Sequence, residues 1–246
     1  MKIAVISDIH GNMQALETVL QDIKANEIDK IFCLGDLAMA GPQPDLAVDK
    51  IMELAKDDNF EIIQGNTDFM IVNSADFVDK VKSNLPIMGN ALEADAKLLN
   101  SKQKEFLASL PAQKELQVEG LKVLLVHGSP RRNDENIFPN MKLEEVEEMI
   151  KDTDANLILC GHTHIPCGYQ THTKQTVVNA GSVGRPFSPE PKASYIIINL
   201  TSGSYSLEHQ LLNYDKEKAA DILSKRGFEG AEKLSTILIN PETRHM

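Results

Sequence analysis

The sequence has no tryptophan, only 5% aromatic residues and just three cysteines in 246 residues. Three cysteines cannot build the disulfide framework of a small secreted protein. Cys33 and Cys160 lie inside apolar runs, as thiols packed in a reducing compartment do. The first apolar run, MKIAVIS, meets Asp8 too early to act as a signal peptide, and no run is long enough to span a membrane. These absences predict a cytoplasmic protein with no membrane partner.

The chain also lacks an excess of basic residues. Lys and Arg number 25 against 36 Asp and Glu, which gives a formal net charge of −11. Because nucleic-acid backbones are bound by clustered positive charge, this balance argues against bulk nucleic-acid binding. A phosphate-bearing small molecule or nucleotide stays open as a substrate, since metal ions can meet its charge locally. The oligomeric state is also open, and a homo-oligomer fits the sequence as well as a monomer.

Apolar and amphipathic segments alternate in the first 65 residues. Strands are predicted at KIAVIS (2–7), KIFCLG (30–35) and FEIIQG (60–65). A helix capped by Asn12 is predicted to run to about residue 25, and Pro44 opens another over 44–57. Strand–helix units at this spacing favour parallel pairing with right-handed crossovers.

The remainder of the chain changes character at about residue 111. Residues 66–111 are predicted to be helical, with breaks near Pro86 and Gly89 and a cap at Ser101. After them come a hairpin (114–128), a helix (142–151) and several short strands, which indicate a second, largely antiparallel sheet. Helices are expected again from about residue 214. Because no linker or repeat interrupts the chain, we predict one domain over 1–246.

Polar side chains follow five of the predicted strands, at the point where each strand ends. They are Asp8 and His10, Asp36, Asn66, His127, and finally His162 and His164 in the stretch LILCGHTH. If the chain stays extended there, the last two histidines project from the same side. Sites assemble at the carboxyl ends of strands in open α/β sheets, and core packing does not explain this pattern. Imidazole nitrogen with carboxylate and amide oxygen suits Mn²⁺, Fe²⁺, Zn²⁺ or Co²⁺.

These motifs resemble those of the calcineurin-like metallophosphoesterases. ISDIHGN, LGD, QGNTD, VHGSP and GHTH occur in the family's order, and the resemblance runs from residue 3 to about 190. The sequence is also similar to the small prokaryotic branch that contains phosphodiesterases and relatives of the retromer subunit. We therefore expect an α/β (α+β) fold, a four-layer αββα sandwich with two facing mixed sheets.

The resemblance implies two divalent metal ions, with Mn²⁺ expected and Fe, Zn, Ni or Co as alternatives. By position, Asp8, His10 and His164 would hold the first ion. Asn66, His127 and His162 would hold the second, and Asp36 would bridge the two. Metals about 3.5–4 Å apart can share a hydroxide that attacks phosphorus at neutral pH. A phosphoric ester hydrolase is therefore expected, with Asp36, Asn66 and His127 at the reaction centre.

One position departs from the family pattern. Thr67 stands where the phosphomonoesterases and many nucleases of the family have histidine. A threonine hydroxyl is no proton source near pH 7, so a general-acid contribution of about 10²–10⁴-fold would be missing. This favours phosphodiesters or nucleotide pyrophosphate bonds with good leaving groups. The alternatives are a phosphomonoesterase or protein phosphatase, and a binding scaffold like the retromer subunit with a weak site.

Four further residues are candidates for holding substrate. Asn12 begins a helix whose N-terminus is expected to face the metals, although simple capping explains it as well. Arg131, Arg132 and Arg185 follow site-bearing strands, where they would either grip a distal phosphate or remain solvated. Asp68 is expected either to support a ligand or to start a helix. Cyclic nucleotides, dinucleoside polyphosphates, nucleic-acid ends and small diesters all remain open as substrates.

Overall fold

Two stacked β-sheets with helices on both outer faces carry the strand ends described above. We describe them from a computed structural model, which covers residues 1–201 and 204–241. Within these residues the strands are β1 (Lys2–Ile6), β2 (Lys30–Cys33), β3 (Phe60–Ile62), β4 (Gln113–Val118), β5 (Leu121–Val126), β6 (Leu157–Cys160), β7 (Cys167–Gln170), β8 (Thr176–Asn179), β9 (Ala193–Thr201) and β10 (Ser204–Leu212). The helices are α1 (Met13–Ala25), α2 (Pro44–Leu54), α3 (Asn66–Val72), α4 (Ser74–Asn84), α5 (Pro86–Leu98), α6 (Ser101–Ser109), α7 (Leu143–Ile150), α8 (Lys216–Ser224) and α9 (Ala231–Ile239).

The first sheet has the order β10-β9-β1-β2-β3. Its β1, β2 and β3 are parallel, as the early strand–helix units predict, while β9 runs antiparallel to β1 and β10 antiparallel to β9. The prediction that all the late strands belong to the second sheet is therefore wrong for β9 and β10. The physical reason lies in β9, which is buried on both faces: Ile196 and Ile198 face the other sheet, whereas Tyr195 and Ile197 face the helices.

The second sheet has the order β4-β5-β6-β8-β7. The predicted β4–β5 hairpin is present, and its turn places Glu119 (φ 48°) and Gly120 (φ 83°) in the left-handed region. The three central strands β5, β6 and β8 are parallel to one another. The sheet is mixed, so the expectation of a largely antiparallel one is wrong.

Three apolar layers hold the sandwich together. Val5 and Leu125 lie between the two sheets, Ile6 and Leu16 lie between the first sheet and its helices, and Val146 of α7 packs on the outer face of the second sheet. Because alternate residues of a strand face opposite sides, neighbours such as Val5 and Ile6 belong to different layers. This arrangement is the predicted four-layer αββα sandwich.

Two details of the helical segment 66–109 differ from prediction. Gly89 lies inside α5 and does not break it, and Pro86 begins that helix. The cap of α6 is Asn100 and not Ser101, because the Asn100 side chain accepts a hydrogen bond from the Gln103 amide at 3.1 Å. Asn12 caps α1 as predicted, accepting from the Ala15 amide at 3.2 Å. None of the helices in the described residues is long and apolar enough to cross a membrane.

Candidate metal centre

The carboxyl ends of β1, β2, β3, β5 and β6 meet at one end of the sandwich, where they bring the predicted ligands together. The chain leaves these strands sharply, because five of the residues have a left-handed backbone: Asp8 (φ 55°), His10 (φ 47°), Asp36 (φ 55°), His162 (φ 68°) and His164 (φ 63°). The two histidines after β6 therefore do not follow the extended path assumed from the sequence. Non-glycine residues in this region carry backbone strain of about 1–3 kcal/mol, and such residues concentrate at functional sites.

Two fully buried carboxylates form the middle of the site. Asp8 Oδ2 accepts hydrogen bonds from Ser7 Oγ at 2.6 Å and from the His162 amide at 3.0 Å. Among the described residues no group donates a hydrogen bond to its other oxygen, Oδ1, although that atom is buried. A buried carboxylate oxygen without a donor is costly unless it meets a cation, so this atom fits a metal ligand.

Three histidines are held in the same way, each with Nδ1 facing a backbone carbonyl oxygen: His10 with Met39 (2.9 Å), His127 with Leu34 (2.7 Å) and His164 with Arg185 (2.6 Å). Since a carbonyl oxygen only accepts, Nδ1 carries the proton of the neutral ring and Nε2 turns its lone pair inwards. This second contact fixes the ring orientation, as it does in metal-binding histidines generally.

When the rings are neutral, as metal ligands must be, the inward-facing atoms are all acceptors, and they lie close together. His10 Nε2 is 3.1 Å from His164 Nε2, and His127 Nε2 is 3.0 Å from Asn66 Oδ1. Two lone pairs at hydrogen-bond distance repel each other unless a positive charge lies beside them. The residues present therefore fit divalent metal ions, which take imidazole nitrogen, amide oxygen and carboxylate together.

The electrostatics of the centre point the same way. Burial alone would raise the pKa of Asp8, but the neighbouring histidines, His164 foremost, lower it well below its usual range. Burial also opposes ionisation of Asp36, yet His127 lowers its pKa to about 2. Burial lowers the pKa of His127, but Asp36 and then Asp8 raise it to about 10. Both carboxylates are thus ionised, and without a metal ion they favour a second proton on the His127 ring. A divalent ion bound here would take the place of that proton and leave Nε2 as a ligand.

The histidines form two pairs on either side of Asp36. The ring centroids of His10 and His164 are 4.8 Å apart, and those of His127 and His162 are 5.3 Å apart. Asp36 Oδ2 lies 3.6 Å from His10 Nε2 and 3.3 Å from His127 Nε2, so it contacts one member of each pair. Two overlapping donor sets result, Asp8–His10–His164 and Asp8–Asp36–His127, with the ligand atoms of each set within 4.8 Å of one another.

Asp68, which starts α3 as well as supporting a ligand, holds the turn after β2. Its buried carboxylate accepts from the backbone amides of Asp36 (2.8 Å), Leu37 (2.9 Å) and Gly65 (2.9 Å). Both roles left open by the sequence thus apply to this residue. Three backbone donors on one carboxylate fix the direction in which the Asp36 side chain leaves the chain.

Replacing Asp68 with asparagine should lower the free energy of unfolding of the metal-free protein by about 2–3 kcal/mol, because an amide NH₂ would face a backbone N–H that loses its acceptor. Urea unfolding of protein treated with a chelator measures this free energy. Asp76→Asn is the matched control, since Asp76 is also in a first helical turn but is exposed. Equal effects of the two substitutions would mean that Asp68 acts only through the helix terminus.

A buried ion pair supports the loop on which the His10 ring rests. Arg226 Nη1 lies 2.5 Å from Asp95 Oδ1 and donates to the Gly41 carbonyl oxygen at 3.0 Å. The amides of Met39 and Ala40, both with left-handed φ, face the Asp95 carboxylate. Sequence reasoning missed Asp95 and Arg226, because a lone acid in α5 and a lone arginine after α8 form no motif.

A cavity of about 230 Å³ opens beside the centre. It is lined by five of the candidate ligands, by Thr67, Arg185 and Phe187, and by an apolar group consisting of Met39, Met70, Val81, Leu85 and Met88. Phe187 stacks on the His164 ring with centroids 4.7 Å apart and planes inclined by 12°. No sequence pattern identifies Phe187, because it follows the β8 loop without a motif of its own.

The other predicted substrate contacts lie elsewhere. Asn12 uses both ends of its amide, accepting from Ala15 and donating to the Gly184 carbonyl oxygen at 2.8 Å. Arg131 pairs with Glu135 at 2.6 Å and Arg132 with Asp134 at 2.9 Å, and none of these residues lines the described cavity. Of the three arginines, the structure brings only Arg185 to the cavity.

Thr67 lies at the wall of the cavity with its polar groups engaged. Its amide donates to Asp36 Oδ1 at 2.8 Å, and its hydroxyl donates to the Ala38 carbonyl oxygen at 3.1 Å. The hydroxyl proton is therefore committed to the loop after β2. The residue holds Asp36 in place and offers no free proton to a leaving group.

Comparison with known proteins identifies this arrangement. The calcineurin-like phosphoesterase superfamily domain matches residues 1–203. The chain belongs to the calcineurin-like phosphoesterase superfamily. An uncharacterised protein of Methanocaldococcus jannaschii is 34% identical over 241 residues, covering 91% of this chain and 92% of the relative. Superfamily membership indicates a phosphoester hydrolase that uses divalent metal ions, in agreement with the Asp and His groups of the centre.

Solved structures are similar to this chain over nearly its whole length. A hypothetical protein from Pyrococcus horikoshii matches with a TM-score of 0.89 at 23% identity, covering 99% of each chain. A metallophosphoesterase from Sphaerobacter thermophilus matches with a TM-score of 0.76 at 26% identity, covering 97% of this chain and 98% of the other. The resemblance noted in the sequence motifs is thereby confirmed.

Proposed function

We propose that the protein is a dinuclear metal-dependent phosphodiesterase or nucleotide pyrophosphohydrolase. The observation that carries the proposal is the pairing of imidazoles, His10 with His164 and His127 with His162, on either side of Asp36. A single ion needs no shared carboxylate between two such pairs. The distances from Asp36 Oδ2 to one histidine of each pair support Asp36 as the bridging ligand in this proposal.

In this proposal Asp8, His10 and His164 hold one ion, and Asn66, His127 and His162 hold the other. Two divalent ions bound there would polarise a phosphoryl group and supply a hydroxide nucleophile at neutral pH. The chain's own contribution is to fix the ligands through their backbone contacts. The ionised carboxylates remove only two of the four positive charges, so a phosphate is attracted into an otherwise acidic protein.

Arg185 is the residue we propose for holding a substrate oxygen. It lines the cavity together with the ligands, and its guanidinium carbon is 5.5 Å from the centroid of Phe187. A guanidinium at this position can donate two parallel hydrogen bonds to a phosphoryl group. Arg131 and Arg132 are not included, because they pair with acidic neighbours outside the cavity.

The diester assignment depends on Thr67. Its hydroxyl is committed to Ala38, so no side chain at this position supplies a proton to a poor leaving group. Diesters and pyrophosphates with stable leaving groups need that proton least. We expect Mn²⁺ to support the highest activity. A cytoplasmic location and a single domain over 1–246 remain predictions from the sequence alone, and the oligomeric state stays open.

Metal removal tests the proposal directly. Protein stripped by a chelator should lose hydrolysis of bis(p-nitrophenyl) phosphate, and titration with Mn²⁺ should restore it as two ions bind per chain. Elemental analysis after gel filtration measures the stoichiometry. Fewer than one ion bound per chain, with no hydrolysis of any diester, would instead support a binding scaffold. Faster hydrolysis of p-nitrophenyl phosphate than of the diester would support a phosphomonoesterase.

A further inference from the structure

One wall of the cavity beside the metal centre is apolar, although the chemistry proposed there is that of charged phosphates. Met70 of α3, Leu85 between α4 and α5, and Met88 of α5 all line it. Leu85 is 60% exposed, the most exposed of the large apolar side chains in the described residues. Apolar groups exposed beside a polar site are characteristic of ligand pockets, in which an apolar lining surrounds a few orienting polar groups.

The helical hairpin α4–α5 is anchored in the core by Ala91 and Leu92 of α5, but its other helix stays at the surface. The whole of α4 lies within the described residues, and no residue of it is buried. It is nevertheless held close to α5, because Gly89 leaves room for the Lys82 backbone: an added Cβ at Gly89 would lie 2.6 Å from the Lys82 nitrogen. The hairpin is thus a fixed element that presents the exposed Leu85 and the half-buried Met88 to the cavity.

An aromatic ring also lines the cavity. Phe187 lies on the His164 ring with an inclination of only 12°, and the Arg185 guanidinium lies beside it. Methionine side chains adapt their shape and make favourable sulfur contacts with aromatic rings. A flat ring bound here would therefore meet two methionines, a leucine and a phenylalanine, whereas a sugar phosphate or an inorganic polyphosphate would gain nothing from them.

We infer that the substrate carries a flat aromatic group, aryl or nucleobase, on the phosphorus substituent that is not expelled, and that Met70, Leu85 and Met88 bind this group. The inference rests on the proposed diesterase function, which it narrows. The cavity of about 230 Å³ is smaller than the roughly 300–1,000 Å³ that drug-sized ligands occupy, so one ring with its phosphoryl group fits the site. The metal ligands and Arg185 thus bind the phosphoryl group, and the apolar wall of Met70, Leu85 and Met88 binds the ring.

Two chromogenic diesters with the same leaving group test the inference. Phenyl p-nitrophenyl phosphate and methyl p-nitrophenyl phosphate both release p-nitrophenolate, so leaving-group chemistry cancels. Each kcat/KM is divided by the rate constant for hydrolysis of the same ester by hydroxide, which corrects for intrinsic reactivity. The corrected kcat/KM should be about 10–100-fold higher for the phenyl ester, as expected for burial of one ring. A corrected ratio near one, with both esters hydrolysed, would overturn the inference and leave the proposed function intact.

Substitutions assign the preference to the hairpin. Leu85→Ser should lower the corrected phenyl-to-methyl ratio by about 5–10-fold, and serine is a favourable residue at this helix N-cap position. Leu98→Ser is the matched control, because Leu98 is a 46% exposed leucine of the same hairpin that does not line the cavity. An equal ratio in the two variants would overturn the assignment to Leu85.

A binding measurement keeps the inference testable if neither ester is hydrolysed by the metal-loaded protein, an outcome that would count against the proposed function. Calorimetry then compares phenylphosphonate with methylphosphonate as ligands of the metal-loaded protein. A Kd at least about 10-fold lower for phenylphosphonate, reduced by Leu85→Ser, would support the aromatic wall. Equal dissociation constants would overturn it.

Discussion

Replacing Asp36 with asparagine should weaken both metals at once and lower kcat/KM by about 10³-fold or more. Substitutions behind a metal ligand already cost about 10–100-fold in affinity or activity, and Asp36 faces both histidine pairs directly. The substitution is conservative for the fold, because an asparagine oxygen can still accept from the Thr67 amide as Asp36 Oδ1 does at 2.8 Å. Metal content and diester hydrolysis, measured on the same preparation, give both results.

Asn66→Ala provides the comparison that makes this prediction specific to a shared ligand. Asn66 Oδ1 lies beside His127 Nε2 at 3.0 Å, so its loss should mainly release the second ion. Circular dichroism of both variants establishes that they remain folded. Full metal content and full activity in Asp36→Asn would rule out the dinuclear centre, and loss of one ion only would place Asp36 in a single site.

Hydrolysis should depend steeply on the leaving group. With the Thr67 hydroxyl donated to Ala38, no side chain at position 67 protonates the departing oxygen. General acid catalysis contributes roughly 10²–10⁴-fold to such reactions. We therefore expect p-nitrophenyl diesters to be cleaved faster than alkyl monoesters by at least this factor. A series of aryl esters of graded leaving-group pKa measures the slope. A shallow slope with fully loaded metals would mean that another group, such as a water molecule, already supplies the proton.

Thr67→His extends this prediction to a gain of activity. A histidine that reaches the leaving oxygen should raise phosphomonoesterase activity by about 10-fold, equivalent to about 1.4 kcal/mol of barrier. Thr67→Val is the control, because it removes the hydroxyl without adding a proton donor. Unchanged monoester hydrolysis in Thr67→His, with metals retained, would show that the missing imidazole does not limit the reaction.

The convergence of the candidate ligands could be predicted from the sequence in part, because some of it depends on local rules. Each apolar run ends in a polar side chain, and parallel strands of one sheet bring such ends to one edge, so Asp8 and Asp36 are expected to lie close together. His127 follows a strand of the other sheet, and its place beside them is expected from the family resemblance. The first three strands, the cap Asn12 and the helix start at Pro44 follow from periodicity and turn chemistry in the same way.

What the sequence could not supply depends on contacts between distant segments. β9 joins β1 because it is buried on both faces, and periodicity does not distinguish such a strand from a buried strand of the other sheet. The left-handed backbone at His162 and His164 could not be predicted from the sequence either, since it results from the surrounding loops and not from residue preference. Asp95 contacts Arg226 across 131 positions of the chain, a pairing that no local pattern indicates.

The contact between Asp95 and Arg226 lies partly outside the region that the superfamily shares. The superfamily match stops at residue 203, yet Arg226 lies beyond it and donates to the Gly41 carbonyl oxygen, two residues from the carbonyl that orients the His10 ring. Trimming the protein to the shared region would therefore remove a support of the first ligand pair while leaving every ligand in place. The end of the family match and the end of the elements that support the candidate metal centre are therefore different positions in this chain.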